Sequence, residues 1–236
     1  MKTKIALFSV FIFSATGLWS QDNSDSRIPL IGSQAPSFTA KTTNGELTFP
    51  GDYSSNWKIL FSHPKDFTPV CSSEILELAQ RQEEFSKLGV KIVVLSTDTL
   101  YQHKSWVSTL DTLRYKGRTP VAIKFPLVDD NTKYISKLYG MLHNPVSTTK
   151  DVRGVFIIDP KNKIRAIFFY PSEVGRNFNE LERTIVALQM SDKEHVMMPA
   201  NWKPGEDVFI PYQTKESKKD PNVYYIAPFM LAKKMQ

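Results

Sequence analysis

The sequence predicts an α/β fold built on a mixed β-sheet, followed by a small C-terminal extension. Short apolar runs that end at turn residues alternate with amphipathic helical segments from about residue 57 onward. The first two of these runs flank a segment of helix length, so we expect them to pair in parallel. Two later runs are separated by only four residues, which predicts an antiparallel hairpin.

The first predicted unit is a strand, a helix and a second strand. The run Trp57–Ser62 is apolar and rich in strand-forming residues, so it predicts a buried strand. After a turn that contains proline, apolar residues recur at helical spacing as far as Leu88, and Gly89 supplies a stop signal. The segment Lys91–Ser96 then predicts the parallel partner strand.

The same alternation continues along the chain. It predicts helices near 100–112, 132–139 and 178–189, and strands at 125–128, 154–159 and 164–169. A mixed sheet covered by helices is what a thioredoxin-like fold requires. We place this domain at residues 28–192. We expect a small extension over 193–236, packed on the main domain or on a second subunit, with an irregular segment at 197–205.

The first twenty residues are typical of a secretory signal peptide. Lys2 and Lys4 precede an apolar run of about fifteen residues, which is short of the ~20 needed to span a bilayer. We therefore expect residues 1–20 to be cleaved, with an uncleaved anchor as the alternative. The mature chain is then expected to be periplasmic or secreted, with no stable membrane span.

The charge gives a weak basic bias. The formal net charge is +6, and it falls to +4 when the two lysines of the signal are removed. The basic residues are dispersed except for a cluster over Lys215–Lys219, which is more typical of a solvated loop than of a nucleic-acid site. We expect no nucleic-acid partner.

Cys71 is the only cysteine in the 236 residues. Exported proteins usually pair their cysteines in disulfides, so a lone one is either buried and inert or a free reactive thiol. Its position at the start of the first helix favours the reactive thiol, because the N–H groups there stabilise negative charge. Thr68 lies in the preceding turn, where its hydroxyl could donate to the sulfur or to an incoming oxygen. We expect Glu74 to cap the first turn.

The segment Pro64–Cys71 reads P-K-D-F-T-P-V-C and resembles the P-x-x-x-T-x-x-C active-site signature of the peroxiredoxins. The longer string from Phe61 to Glu74 is similar to the one-cysteine subgroup of that family. Further segments resemble the family in the same order, over roughly residues 28 to 212. They are 96–98 with His103 and Trp106, 125–130, 138–141, 153–160, 175–178 and 201–205.

The resemblance implies reduction of hydrogen peroxide and organic hydroperoxides, without a metal or a cofactor. Cys71 would attack the distal peroxide oxygen and become a sulfenic acid. Because the chain has no second cysteine, an external thiol such as glutathione or a thioredoxin-like protein would have to resolve that acid. The extension resembles that of the subgroup, and contacts through it indicate a homodimer.

The same resemblance assigns roles around the thiol. Thr68 and the backbone N–H of Cys71 would hold the peroxide, and Pro64 would shield the sulfur. Arg153 would stabilise the thiolate and the charge that develops during the reaction. Three further residues are expected in supporting roles: His63, which the subgroup places beside the thiol, Glu74 and Arg176.

Other functions fit part of this pattern. A disulfide exchanger of the thioredoxin type needs Cys-x-x-Cys, and position 74 is Glu. A peroxide-sensing redox regulator or binding module would use the same cysteine, and turnover with an added reductant distinguishes the enzyme from it. A cysteine hydrolase would need His63 as a base beside Cys71.

Overall fold

The computed structural model describes residues 27–211 and 219–235. The expected signal peptide and most of the Lys215–Lys219 cluster lie outside the described residues. Across the two described ranges, no helix is long and apolar enough to cross a membrane.

The described residues form a seven-stranded sheet, a small three-stranded sheet and four α-helices. The strands are β1 Phe38–Thr42, β2 Gly45–Phe49, β3 Trp57–Ser62, β4 Val90–Ser96, β5 Leu127–Asp129, β6 Arg153–Ile158, β7 Ile164–Tyr170, β8 Val208–Phe209, β9 Val223–Ala227 and β10 Met230–Lys233. The helices are α1 Pro69–Lys87, α2 Leu100–Leu110, α3 Tyr134–Leu138 and α4 Phe178–Glu194.

The large sheet has the strand order β2-β1-β5-β4-β3-β6-β7. Strands β3, β4 and β5 are parallel to one another, whereas β6 runs antiparallel to β3 and β7 runs antiparallel to β6. The predicted parallel unit, the predicted hairpin and the thioredoxin-like α/β fold are thereby confirmed. The parallel strands place the end of β3 and the start of α1 at one edge of the sheet.

Two apolar layers cover the faces of this sheet. Alternate residues of β3 divide between them, because successive side chains of a strand point to opposite faces. Ile59 and Phe61 join the cluster that buries α1, α2 and α4. Leu60 joins the cluster with Phe49 and Tyr139 on the opposite face. Strand β3 is therefore buried on both faces, which fixes the position of the loop that follows it.

Helix α1 begins and ends where the sequence predicts. Thr68 is the N-cap residue, and Pro69 occupies the first helical position, where its missing N–H has no helical partner to lose. At the other end, Leu88 is the C-cap and Gly89 has a φ of +70°, the left-handed conformation that glycine adopts without strain.

Two regions differ from the sequence prediction. The hairpin of β1 and β2 was not predicted, and neither was the small sheet of β8, β10 and β9 in the extension. The segment 197–205 contains no helix or strand, as predicted. Trp202 packs with Ala187 of α4, Val196 and Val208, so the extension lies on the main domain. Helix α4 continues to Glu194, past the predicted boundary at residue 192, and the division into domains stays a prediction.

Replacing the buried Trp202 tests this anchoring. Its side chain is 1% exposed, so Trp202→Ala leaves a large cavity and is expected to lower the free energy of unfolding by about 3–5 kcal/mol. The measurement is denaturant unfolding. Tyr101→Ala removes an aromatic side chain that is 82% exposed and should change stability by less than about 0.5 kcal/mol. Equal effects of the two substitutions would contradict the anchoring.

A buried carboxyl group lies just before β6. Asp151 is 1% exposed, and neither of its carboxyl oxygens has a hydrogen-bond partner among the described residues. The hydroxyl of Ser136 donates instead to Asp130, at 2.6 Å. Burial, together with the nearby charges of Asp130 and Asp98, raises the pKa of Asp151 well above its ordinary value. The folded protein therefore holds Asp151 in its protonated form over a wider pH range than the unfolded chain does.

The raised pKa of Asp151 lowers the stability of the folded protein as the pH rises. The stabilisation from the bound proton is complete below the ordinary pKa of about 3.9 and is lost as the pH rises through the raised pKa of the folded state. The free energy of unfolding of Asp151→Asn, relative to that of the wild type, should therefore increase with pH, by at most about 1.4 kcal/mol per pH unit. Urea unfolding at a series of pH values measures it, with the half-exposed Asp129→Asn as the control. A pH-independent difference would refute the assignment.

Candidate active site

Cys71 lies in the first turn of α1, and its side chain is fully buried. The first N–H groups of a helix have no partner within the helix. The N-cap residue Thr68 has an extended backbone but makes no capping bond with its side chain. These N–H groups and the positive end of the helix therefore remain available to an anion or a polar ligand near the sulfur.

Arg153, the first residue of β6, holds the sulfur from the opposite side. Its Nη1 lies 3.3 Å from Sγ of Cys71 and 2.7 Å from Oε2 of Glu74. Its Nε and Nη2 both donate to the backbone carbonyl of Ser172, at 3.0 and 2.6 Å. The guanidinium is thus fixed by three groups and directs one N–H toward Cys71.

Glu74 does not cap α1, contrary to the sequence prediction. Its carboxylate accepts from Nη1 of Arg153 and from Nε and Nη2 of Arg176, with all three distances at 2.7–2.8 Å. The two guanidiniums hold it away from the N–H groups of the first turn. Burial would raise the pKa of Glu74, but the charge and hydrogen bonds of Arg176, together with Arg153, hold it below its ordinary value. Glu74 is therefore ionised at neutral pH.

Arg176 is buried beneath this carboxylate. Its Nη1 donates to the carbonyls of Ser62 and Gly154, at 2.7 and 2.9 Å, and its guanidinium lies 3.2 Å from the centre of the Phe61 ring. Burial lowers the pKa of Arg176, while Glu74 opposes that change. Two buried guanidiniums share one carboxylate, so the cluster has an excess of positive charge next to the sulfur of Cys71.

The loop between β3 and α1 carries two further predicted residues. The hydroxyl of Thr68 donates to the carbonyl of Lys65 at 2.9 Å, so its proton is directed away from Cys71 and its lone pairs are left to accept. Pro64 is half-buried in the same loop. The expected donation from Thr68 to the sulfur is thus absent from this conformation, because the backbone of the loop takes the hydroxyl proton.

His63 is fully buried and donates to Asp66 rather than bonding to Cys71. The distance from Nε2 to Oδ1 of Asp66 is 2.8 Å, and Nδ1 has no hydrogen-bond partner among the described residues. Burial lowers the pKa of His63, so its ring is neutral at neutral pH. The second oxygen of Asp66 lies 2.8 Å from Nδ1 of His103, whose Nε2 donates to the carbonyl of Val128.

Asp66 was not predicted as a site residue, although a carboxylate between two prolines in a short loop is a readable signal. Its backbone N–H also donates to Asp98, at 2.7 Å. His63, Asp66 and Asp98 bring ligand atoms within 4.8 Å of one another, which is a spacing that can hold a metal ion. Both oxygens of Asp66 are already occupied by imidazoles. The cluster therefore fixes the loop, and an ion would have to displace those bonds.

Ser62 was also missed, and it positions Arg153. Its hydroxyl donates to the carbonyl of Val152 at 2.7 Å and accepts from the N–H of Gly154 at 2.8 Å. A Cβ atom at position 154 would lie 3.0 Å from this hydroxyl and from the ring of Phe169. Glycine therefore allows β3 and β6 to approach closely where Arg153 enters the site.

Two family profiles match the chain. The profile of the AhpC/TSA family covers residues 31–167, and that of the C-terminal domain of 1-Cys peroxiredoxin covers residues 187–220. A peroxiredoxin of Methanosarcina mazei is 50% identical over 185 residues, which is 78% of this chain and 84% of that protein. A peroxiredoxin of Thermotoga maritima is 43% identical over 182 residues, 77% of this chain and 82% of that protein.

Solved structures agree in both fold and sequence. A yeast mitochondrial 1-Cys peroxiredoxin superposes with a TM-score of 0.79 at 38% identity, over 88% of this chain and 100% of that one. A cysteine-to-serine mutant of peroxiredoxin 6 of Arenicola marina gives a TM-score of 0.81 at 31% identity, over 88% of this chain and 99% of that one. Given this agreement and a thiol held between a helix start and an arginine, the chain belongs to the peroxiredoxin family and is a thiol-dependent peroxidase.

Proposed function

We propose that this protein reduces hydrogen peroxide and organic hydroperoxides by a one-cysteine mechanism at Cys71. The observation that carries the proposal is the 3.3 Å contact between Nη1 of Arg153 and Sγ of Cys71, at the start of a helix in a chain with one cysteine. The thiolate attacks the distal oxygen, the O–O bond breaks, and the leaving oxygen takes a proton to become water or an alcohol. Cys71 becomes a sulfenic acid.

The charges of the site support this step. The excess positive charge of Arg153 and Arg176 over Glu74 is compensated when Cys71 carries a negative charge. The lone pairs of Thr68 accept the hydrogen of the hydroperoxide, and the first N–H groups of α1 donate to its oxygens. Pro64 restricts access to the sulfur. His63 acts through Asp66, which fixes the loop.

Regeneration comes from outside the chain. The sulfenic acid has no second cysteine with which to form an intramolecular disulfide, so an external thiol reduces it. The yeast mitochondrial 1-Cys peroxiredoxin is described with thiol resolution via glutathione/thioredoxin systems, and we propose the same two classes of reductant here. The signal-like residues 1–20 support export to the periplasm or beyond, and the C-terminal extension supports a homodimer.

Replacing the thiol tests the mechanism directly. Cys71→Ser should reduce peroxide consumption by at least roughly a thousandfold, because a hydroxyl at neutral pH is a far weaker nucleophile. Peroxide loss is followed with excess glutathione or dithiothreitol, and far-UV circular dichroism checks the fold. Ser73→Ala, two residues along the same helix, serves as the control and should retain activity. Turnover by Cys71→Ser at a rate close to that of the wild type would refute the mechanism. Stoichiometric oxidation of the wild type without turnover would favour a sensor.

Neutralising the shared carboxylate tests the charge cluster. Glu74→Gln leaves two buried guanidiniums without their counter-ion, so the free energy of unfolding should fall by about 3 kcal/mol. The rate constant for oxidation of Cys71 by peroxide should also fall, by about tenfold, because Arg153 loses one of its fixed partners. Denaturant unfolding and stopped-flow fluorescence measure the two effects.

Glu180→Gln is the matched control for this substitution. It breaks a more exposed pair with Arg183, which is worth less than about 1 kcal/mol. Equal losses of stability in Glu74→Gln and Glu180→Gln would show that the buried cluster contributes no more to stability than the exposed ion pair does.

A further inference from the structure

A basic groove runs beside α1, and it shares Glu74 and Arg176 with the cluster around the thiol. It has a volume of about 400 Å³ and lies between α1, the loop after α2 and the start of α4. We call it the α1 groove and define it by the charged residues of its lining: Glu74, Glu77, Arg81, Lys116, Arg118 and Arg176.

The groove is positively charged. Glu77 lies 3.0 Å from Nε of Arg81 and 2.5 Å from Nη2 of Arg118. Arg81 also contacts Glu182 at 3.3 Å. Lys116 is exposed and lies over the ring of Tyr115, and it makes no ion pair within the described ranges. The lining of the groove therefore has four cations, Arg81, Lys116, Arg118 and Arg176, and two carboxylates, Glu74 and Glu77.

The cations remain accessible to a ligand. The side chain of Arg118 is 37% exposed and that of Arg81 is 21% exposed. An anion could therefore bind Lys116 and Arg118 without displacing Glu77, whose carboxylate already holds the two arginines in place.

The groove is connected to the reactive sulfur through the carboxylate of Glu74. Glu74 forms part of its wall, and the same carboxylate bonds to Nη1 of Arg153, which contacts Sγ of Cys71. Along the helix, Glu77 is about 9 Å from Cys71, at 1.5 Å per residue. A fully extended tripeptide spans about 10 Å. The thiol of a glutathione-type peptide is on its central residue, so one terminal carboxylate can lie on Arg118 or Lys116 while the thiol points toward the start of α1.

We propose that the α1 groove binds the external thiol that reduces Cys71, and that this thiol is a small anionic peptide of the glutathione type. The proposal rests on the one-cysteine mechanism above. Cys71 is fully buried, so the first turn of α1 has to open before its sulfenic acid can meet the thiol.

At the opened turn, two peptide thiols reduce the sulfenic acid in two steps. The first peptide thiol attacks the sulfenic sulfur, the S–O bond breaks and water leaves, which gives a mixed disulfide with Cys71. A second peptide thiol attacks the peptide sulfur of that disulfide and releases the Cys71 thiol together with the oxidised peptide disulfide.

The proposal is tested by removing two of the groove cations and comparing the rates of reduction by a charged and an uncharged thiol. The reduced protein is oxidised with one equivalent of peroxide, and the second-order rate constant for loss of the sulfenic acid is measured with glutathione and with uncharged dithiothreitol. In Lys116→Gln/Arg118→Gln the glutathione constant should fall about fivefold at low salt, and the dithiothreitol constant should not change. Lys41→Gln/Lys91→Gln removes two exposed lysines elsewhere and should preserve both constants.

Binding without chemistry separates this proposal from the mechanism on which it rests. S-Methylglutathione has no free thiol, and its binding to Cys71→Ser is measured by NMR titration, with loss expected on adding Lys116→Gln/Arg118→Gln. If no thiol reduces the wild-type sulfenic acid, the one-cysteine mechanism is refuted. The titration still shows in that case whether the groove binds the peptide. Four results would overturn the proposal that the groove binds the thiol. They are an unchanged rate constant with glutathione, equal slowing with both thiols, reduction by a thioredoxin alone, and absence of S-methylglutathione binding.

Discussion

The site depends on the carboxylate of Glu74, which lies between two buried arginines. A single unpaired guanidinium in this apolar setting would be strongly destabilising, and two would repel each other. Glu74 binds both, and because it belongs to α1 it ties the helix to β6 through Arg153 and to the segment before α4 through Arg176. One acidic side chain therefore joins three separate parts of the chain around the sulfur. The remaining positive charge lies next to the sulfur, which Nη1 of Arg153 approaches to 3.3 Å.

The supporting bonds come mainly from the backbone. Arg153 is held by the carbonyl of Ser172, and Arg176 is held by the carbonyls of Ser62 and Gly154. The carbonyls of Ser62 and Gly154 lie at strand ends, where the sheet fixes their positions, and that of Ser172 lies in the turn after β7. The geometry around Cys71 is thus inherited from the pairing of β3 with β6, and its precision does not depend on flexible surface side chains.

Much of this arrangement follows from sequence, and the rest does not for identifiable reasons. The central strands and α1 are readable because their apolar patterns are long and punctuated by glycine or proline. The first hairpin was missed although Asn44-Gly45 is a strong turn signal, since its flanking strands carry lysine and threonine on one face. The family motif leads to Cys71, Thr68 and Arg153. It does not reveal that Glu74 binds two arginines, because its partners are 79 and 102 residues away in sequence.

The complete burial of Cys71 has a consequence for anyone who labels this thiol. A bulky maleimide or iodoacetamide cannot reach a sulfur with no exposed surface, so it must wait until the start of α1 opens. When opening and closing are fast, the observed alkylation rate is the intrinsic rate of the thiolate multiplied by the open fraction. Slow labelling would then measure how rarely the helix frays, and would say little about how nucleophilic the sulfur is toward a small peroxide.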